Sequence, residues 1–257
     1  MRRRVLIARD TSRAAELIEA LRAEEITAIA EPVTTIERIA DAASLPDLSR
    51  VDWVAFTSVN GAEIFREILQ KSGHVLPSEV RLAAVGSATA QVIRHHLRPL
   101  DIVTSGTGAL KLAEALLDEC CSNTNVTVLW PCARDAQRDF VKILAARGAD
   151  VIEWPVYATE FIPPWLLHSR LEHPSSFDVV VFAAPSAVKS LKEAWPEAWT
   201  FTSVAIGETT ADTLSKCAMT RCITSSSPRT ADLVAAIKHA LIERERASLP
   251  FTPKERS

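Results

Sequence analysis

The chain repeats itself. Pro32 and Val33 lie 123 positions before Pro155 and Val156, and the offset runs back without a gap: Val5 and Leu6 match Val128 and Leu129, and Leu21 matches Leu144. Further on, Asp178 to Ser186 follows Asp52 to Asn60 at an offset of 126, and Val204 to Thr210 follows Ala83 to Thr89 at 121. Such a duplication points to two similar lobes with a cleft between them.

With 257 residues, the chain fits one large domain or two medium ones. At 47% hydrophobic and 24% charged residues it can fill two cores. No apolar run approaches the roughly 20 residues a bilayer needs. The start, Met1-Arg-Arg-Arg followed by Val5 to Ala8, is too short in its apolar part for a signal peptide and reads as a first buried strand. Five cysteines, an odd number without CxxC spacing, argue against a disulfide framework or zinc site and for a reducing cytoplasm. With 29 basic against 32 acidic residues, broad attraction to nucleic acid or an anionic membrane is not expected. A small polyanion remains open, because helix N-termini bind anions through backbone N–H groups.

The pattern alternates short apolar runs with amphipathic segments. Val5–Ala8, 26–30, 52–56, 82–85, 101–104, 126–130, a segment starting near 150, 178–182 and 204–206 read as strands. Ala14, Leu17, Ile18 and Leu21 form the face of a first helix capped by Thr11 or Ser12. A later helix is expected over about Asp135 to Arg147, stopped by Gly148. Continuous apolar strands between helices predict parallel sheets covered on both faces. Each copy supplies about five strand–helix units, the size of a flavodoxin-like doubly wound domain. The simplest partition is 1–122 and 123–245, and pattern alone does not separate it from one in which the copies exchange pieces. After about Glu245 a polar, Pro-containing flexible tail is expected.

Ligands of open α/β sheets bind beyond the carboxyl ends of the strands. Those ends are rich in Ser, Thr, Asn and Gly: Thr57, Ser58, Asn60 and Gly61; Gly86, Ser87 and Thr89; Ser105 to Gly108; Gly207, Thr209 and Thr210; Ser225 to Ser227. Helix capping accounts for any one of these groups, and their recurrence at matching ends of both copies makes a ligand as good an explanation as capping. No GxGxxG follows the first strand, and no Walker A sequence or GxSxG elbow occurs. The six histidines lack metal-ligand spacing. Such a chain works by holding its substrate's shape. Tyr157, the only tyrosine, is the candidate proton donor. Its twin is Thr34, so the repeat does not demand it for folding, though ring packing is the competing explanation.

The stretches VAFTSVNGAEIF (54–65), LAAVGSATA (82–90), VLWPCARDAQRD (128–139), VIEWPVYAT (151–159), VVVFAAPSAV (179–188) and VAIGETTADTL (204–214) together resemble the uroporphyrinogen-III synthase family. The resemblance implies two flavodoxin-like doubly wound α/β domains joined by a two-stranded hinge. Residues 1–32 plus 160–245 would form a discontinuous first domain and 37–154 the second. Residues 33–36 and 155–159 would be the crossings, and 246–257 the tail. It also implies conversion of hydroxymethylbilane to uroporphyrinogen III and water, with inversion of the last pyrrole ring and no cofactor or metal. Tyr157 would assist loss of the hydroxyl. Thr57, Ser58, Asn60, Gly86, Ser87, Thr89, Arg138, Pro185, Ser186, Gly207, Thr209 and Thr210 would hold the substrate's carboxylates. A cytoplasmic monomer follows, open to transient contact with the enzyme that makes hydroxymethylbilane and with no nucleic-acid or membrane partner. The chain departs from the family pattern at Ala183-Ala184, where Thr-Ser is common, at Ala133 and at Arg9-Asp10. The rival reading is a two-lobed binding or sensor protein for a small polyanion, without catalysis.

Overall fold

The computed structural model describes residues 3–104, 108–119, 126–219 and 221–248. The first half runs β1 (Arg4–Ala8), α1 (Thr11–Ala23), β2 (Thr27–Ala30), β3 (Thr34–Arg38), β4 (Trp53–Phe56), α2 (Val59–Ser72), β5 (Arg81–Val85), α3 (Gly86–His96), β6 (Ile102–Thr104) and α4 (Ala109–Glu119). The second runs β7 (Thr127–Ala133), α5 (Asp139–Ala145), β8 (Asp150–Phe161), α6 (Pro164–Arg170), β9 (Val179–Phe182), α7 (Pro185–Ala194), β10 (Thr202–Ala205), α8 (Glu208–Lys216), β11 (Cys222–Thr224) and α9 (Thr230–Ser248).

The chain divides into two units, Met1–Thr35 with Glu160–Ser257, and Ile36–Thr159. The simple partition at 122 is therefore replaced by an exchange: each unit takes its first β–α–β piece from one copy and the rest from the other. The first unit's sheet has the order β11-β10-β9-β1-β2 and the second's β3-β8-β7-β4-β5-β6. Counted from β1 and from β7 respectively, the five shared strands follow the same doubly wound order, 2-1-3-4-5.

The registers repeat residue for residue. Val5 pairs with Val179 in one sheet, and their twins Val128 and Trp53 pair in the other. Arg4 faces Thr27 as Thr127 faces Asp150, and Val179 faces Thr202 as Trp53 faces Arg81. The sequence offsets of 123, 126 and 121 are thus structural equivalences.

Both faces of each sheet are covered, which is why the strands are apolar throughout. In β9, Val180 and Phe182 enter one core while Val179 and Val181 enter the other. In β4, Val54 and Phe56 join α2 and α3 residues, and Trp53 and Ala55 join α4 and α5 residues.

Several local expectations change. Asp10, not Thr11 or Ser12, caps α1, its carboxylate accepting from the Ser12 and Arg13 amides. An ionised carboxylate is the stronger acceptor at a helix N-terminus. The helix expected from Asp135 starts only at Asp139, because β7 runs on to Ala133 and the Arg134 amide then bonds the Tyr157 carbonyl at 2.8 Å. β3, which the hydrophobic pattern does not mark as a strand, overlaps the 33–36 crossing that the resemblance implies; it lies beside β8, and the border between the units falls inside both strands. α9 continues to Ser248, three residues into the expected tail, whose remainder lies outside the described residues. Ser105 to Thr107, Cys120 and Cys121 lie outside them too.

Candidate functional site

The carboxyl edge of the second unit's sheet is built around a bulge. β7 and β8 pair regularly from Thr127 and Asp150 up to Cys132 and Pro155, and then Ala133 pairs with Tyr157, skipping Val156. Pro155 has no N–H to give the ladder, and an extra residue beside it releases the register. Regular alternation would send Val156 and Tyr157 to opposite faces. With the bulge both join the core beneath α2.

Tyr157 therefore points its phenol at the start of α2. The O–H donates to Ser58 Oγ at 3.2 Å, and Asn60 also hydrogen-bonds it. Ser58 caps α2 by accepting from the Gly61 amide at 3.0 Å. Gly61 allows this close approach: a Cβ there would sit 2.7 Å from the Pro131 carbonyl oxygen and 3.1 Å from Ser58 Oγ. Thr57, one residue earlier, accepts from the Trp130 indole N–H at 2.9 Å. Trp130 itself packs on Phe140, so a buried aromatic pair fixes the Thr57 hydroxyl. Sequence reading missed Trp130, since its partner stands 73 residues away.

Burial pushes the Tyr157 phenol above its ordinary value, with neighbouring Cys132 and Asp135 adding to the rise and the Ser58 and Asn60 bonds opposing it. Tyr157 thus stays a neutral donor at physiological pH. A phenol whose folded pKa lies above the unfolded value of about 10 stabilises the fold fully below that pH, and the contribution fades as pH rises through the folded pKa. Because the chain has one tyrosine, its phenolate absorbance reads this group alone. We expect it to titrate above pH ~10 in the native protein and near ~10 in denaturant; a native midpoint at or below the denatured one would contradict the buried donor. The Cys132 thiol beside it is pushed up to about 12, chiefly by burial, and stays protonated.

The other expected residues fall into two groups, one per unit. In the second unit, β4 and β5 pair at Phe56 and Ala84, which sets Thr57 and Ser58 level with Val85 and Gly86. Gly86 has φ +74°, a conformation that strains other residues, and it opens α3 without any side-chain cap. Ser87 is exposed and Thr89 buried. Arg138 is exposed on the turn before α5 and pairs with Glu153 at 3.3 Å. In the first unit, Phe182 pairs with Ala205, which sets Ala184 level with Gly207 and puts Pro185 and Ser186 just beyond it. α7 and α8 also start without a side-chain cap. Gly207 is extended, with open space where a Cβ would project. Thr209 is exposed and Thr210 buried.

The expectation that short polar side chains cap all these helices is corrected: among α2, α3, α7 and α8, only α2 has such a cap. Thr209 instead offers its carbonyl to the Thr213 hydroxyl. Uncapped first turns keep backbone N–H groups available to an anion. Among the described residues no three His, Cys, Asp or Glu side chains come together as metal ligands would. Nor is any described helix long and apolar enough to cross a membrane.

A family model described as "Uroporphyrinogen-III synthase HemD" matches residues 15–235, most of the chain. The chain belongs to the uroporphyrinogen-III synthase family. Its enzymes are lyases that serve tetrapyrrole biosynthesis. Solved structures carry the same fold. A mutant uroporphyrinogen III synthase from the extremely thermophilic bacterium Thermus thermophilus is 19% identical, with 94% of this chain and 99% of that one covered and a TM-score of 0.65. Uroporphyrinogen-III synthetase from Helicobacter pylori is 16% identical, with 93% and 99% covered and a TM-score of 0.61. The two doubly wound units agree with this family's architecture. The rival reading as a non-catalytic binder is not favoured.

Proposed function

We propose that this chain cyclises hydroxymethylbilane to uroporphyrinogen III, as a cofactor-independent hydro-lyase. The observation that carries the reading is the buried Tyr157 phenol, kept protonated and aimed at the Ser58-capped start of α2. The leaving hydroxyl must depart as water, so it needs a proton or a strong hydrogen bond, and Tyr157 supplies the donor. The electrophilic methylene left behind is attacked by the far ring through its substituted carbon. The spirocyclic product fragments and recombines inverted. These later steps ask the protein for geometry more than for acid–base groups.

The uncapped starts of α3, α7 and α8 serve, in this reading, as seats for acetate and propionate groups. Gly86 and Ser87 would act in one unit, and Pro185, Ser186, Gly207 and Thr209 in the other. Thr57 and Ser58 orient the donor. Thr89 and Thr210, buried behind these edges, would support them, and Arg138 would exchange Glu153 for a carboxylate. β3 and β8 serve as the hinge, and the protein works as a cytoplasmic monomer that meets the hydroxymethylbilane-forming enzyme transiently.

The test is the isomer outcome. Hydroxymethylbilane is generated in situ, the product is oxidised, and the porphyrin isomers are separated with and without this protein. Type III product supports the proposal. An unchanged type I product from folded protein would refute it.

A further inference from the structure

In a sheet of order 2-1-3-4-5 the connections leave β1 and β9 toward opposite sides, so a crevice opens beyond their carboxyl ends. Arg9 is the first residue past β1, and it stands at that crevice. Ala8 pairs with Phe182 as the last pair of the two strands, so Arg9 follows β1 at the same end of the sheet at which α7 follows β9. The side chain is half-buried, and among the described residues its guanidinium has neither a hydrogen-bond nor an ion-pair partner.

The nearest acid does not fill that role. Asp10 is committed to capping α1, where it takes the Ser12 hydroxyl and the Ser12 and Arg13 amides. The field from Asp10 only partly offsets the burial and the Arg13 charge that together push the Arg9 pKa down. Glu31, at the end of β2, has Arg170 as its charged neighbour. A cation withdrawn from water without a counter-ion is costly, and folding alone does not explain it.

The duplication sharpens the point. The twin of Arg9 is Cys132, and the twin of Ala184 is Ser58. The second unit's crevice therefore holds a neutral thiol, a capping hydroxyl and the Tyr157 phenol. The first unit's has lost the hydroxyl and gained a cation. We propose that Arg9 binds a carboxylate of the substrate, its guanidinium pairing with the anion while the uncapped first turn of α7 adds a backbone N–H. This assignment rests on the reaction proposed above and adds to it a division of labour: anion anchoring at the first unit's crevice, proton donation at the second's.

Arg9→Gln and Arg9→Lys test it, with turnover measured by the isomer assay and binding by titration with octacarboxylic uroporphyrin. Loss of one charge-assisted bond predicts that R9Q raises both KM and the uroporphyrin Kd about tenfold or more, with kcat nearly unchanged. R9K should recover most of the affinity, and the binding of R9Q should depend less on salt than that of the wild type. R9Q should also melt no lower than the wild type, because it removes an unpaired half-buried charge. Unchanged KM and Kd in R9Q would overturn the assignment, as would a fall in melting temperature that R9K restores without restoring affinity. If the wild type makes only type I product, the reaction reading fails by itself. Arg9 then stands or falls on uroporphyrin binding, and failure of the wild type to bind it would overturn the anchor as well.

Discussion

Tyr157→Phe should lower kcat about a hundredfold while leaving KM within a few-fold, because in the proposed reaction it deletes a donor that matters as the hydroxyl departs rather than a contact that holds the ground state. The ring stays, so packing against the α2 core is kept and the loss of stability should be limited to about 1 kcal/mol. Ser58 keeps its bond from the Gly61 amide in the variant, so the cap survives. The isomer pattern gives a second readout. Unassisted closure of hydroxymethylbilane yields the type I product, so a slowed enzyme should release a larger type I fraction as the spontaneous reaction competes. The same change should abolish the alkaline phenolate signal entirely, which confirms the assignment of that titration. Full turnover in the variant would leave Tyr157 only a packing role. Ser58→Ala should have a smaller effect, since it removes the acceptor and the α2 cap but leaves the phenol.

Much of the fold that carries this candidate site was readable in the sequence, for physical reasons that differ between elements. The strands were legible because burial on both faces forces runs such as Trp53 to Phe56 and Val179 to Phe182. The duplication was legible because both copies keep the same registers, and it singled out Tyr157 against Thr34. What stayed hidden depends on the third dimension. The bulge at Cys132 and Ala133 exists only in the pairing of two strands, and Pro155 by itself does not say which neighbour is skipped. β3 is mostly exposed and shows no alternation, so only its place beside β8 makes it a strand. The exchange between copies joins β1 to β9, about 175 residues apart; local pattern says nothing at that range, and only the family resemblance implied it. Capping was misjudged at α1 because a carboxylate and two hydroxyls compete there. At α3, α7 and α8 a Ser or Thr near the start does not occupy the capping position itself.

The exchange also sets where the first unit should be weakest. Asp178 stands at the entry to β9, and its carboxylate takes the Arg4 amide at 2.9 Å and the Arg244 Nε–H at 3.1 Å. Its own amide donates to the Arg4 carbonyl, and its carbonyl accepts from Thr202. One residue thus ties β1, β10 and α9 to β9, joining the N-terminal piece of the unit to the C-terminal piece. The twin Asp52 makes the equivalent bond, its carboxylate accepting from the Thr127 amide at 2.8 Å, and among the described residues no arginine pairs with it. Asp178→Ala should therefore cost about 3 kcal/mol, counting the two charge-assisted bonds that its carboxylate accepts. Asp52→Ala should cost about half as much. Asp178→Asn, which keeps an oxygen for the Arg4 amide but loses the charge, should fall between them. Denaturant unfolding followed by circular dichroism measures all three. Equal losses for Asp178→Ala and Asp52→Ala would mean that Arg244 adds nothing. A loss below about 0.5 kcal/mol for Asp178→Ala would mean that strand pairing alone holds the exchanged piece in place.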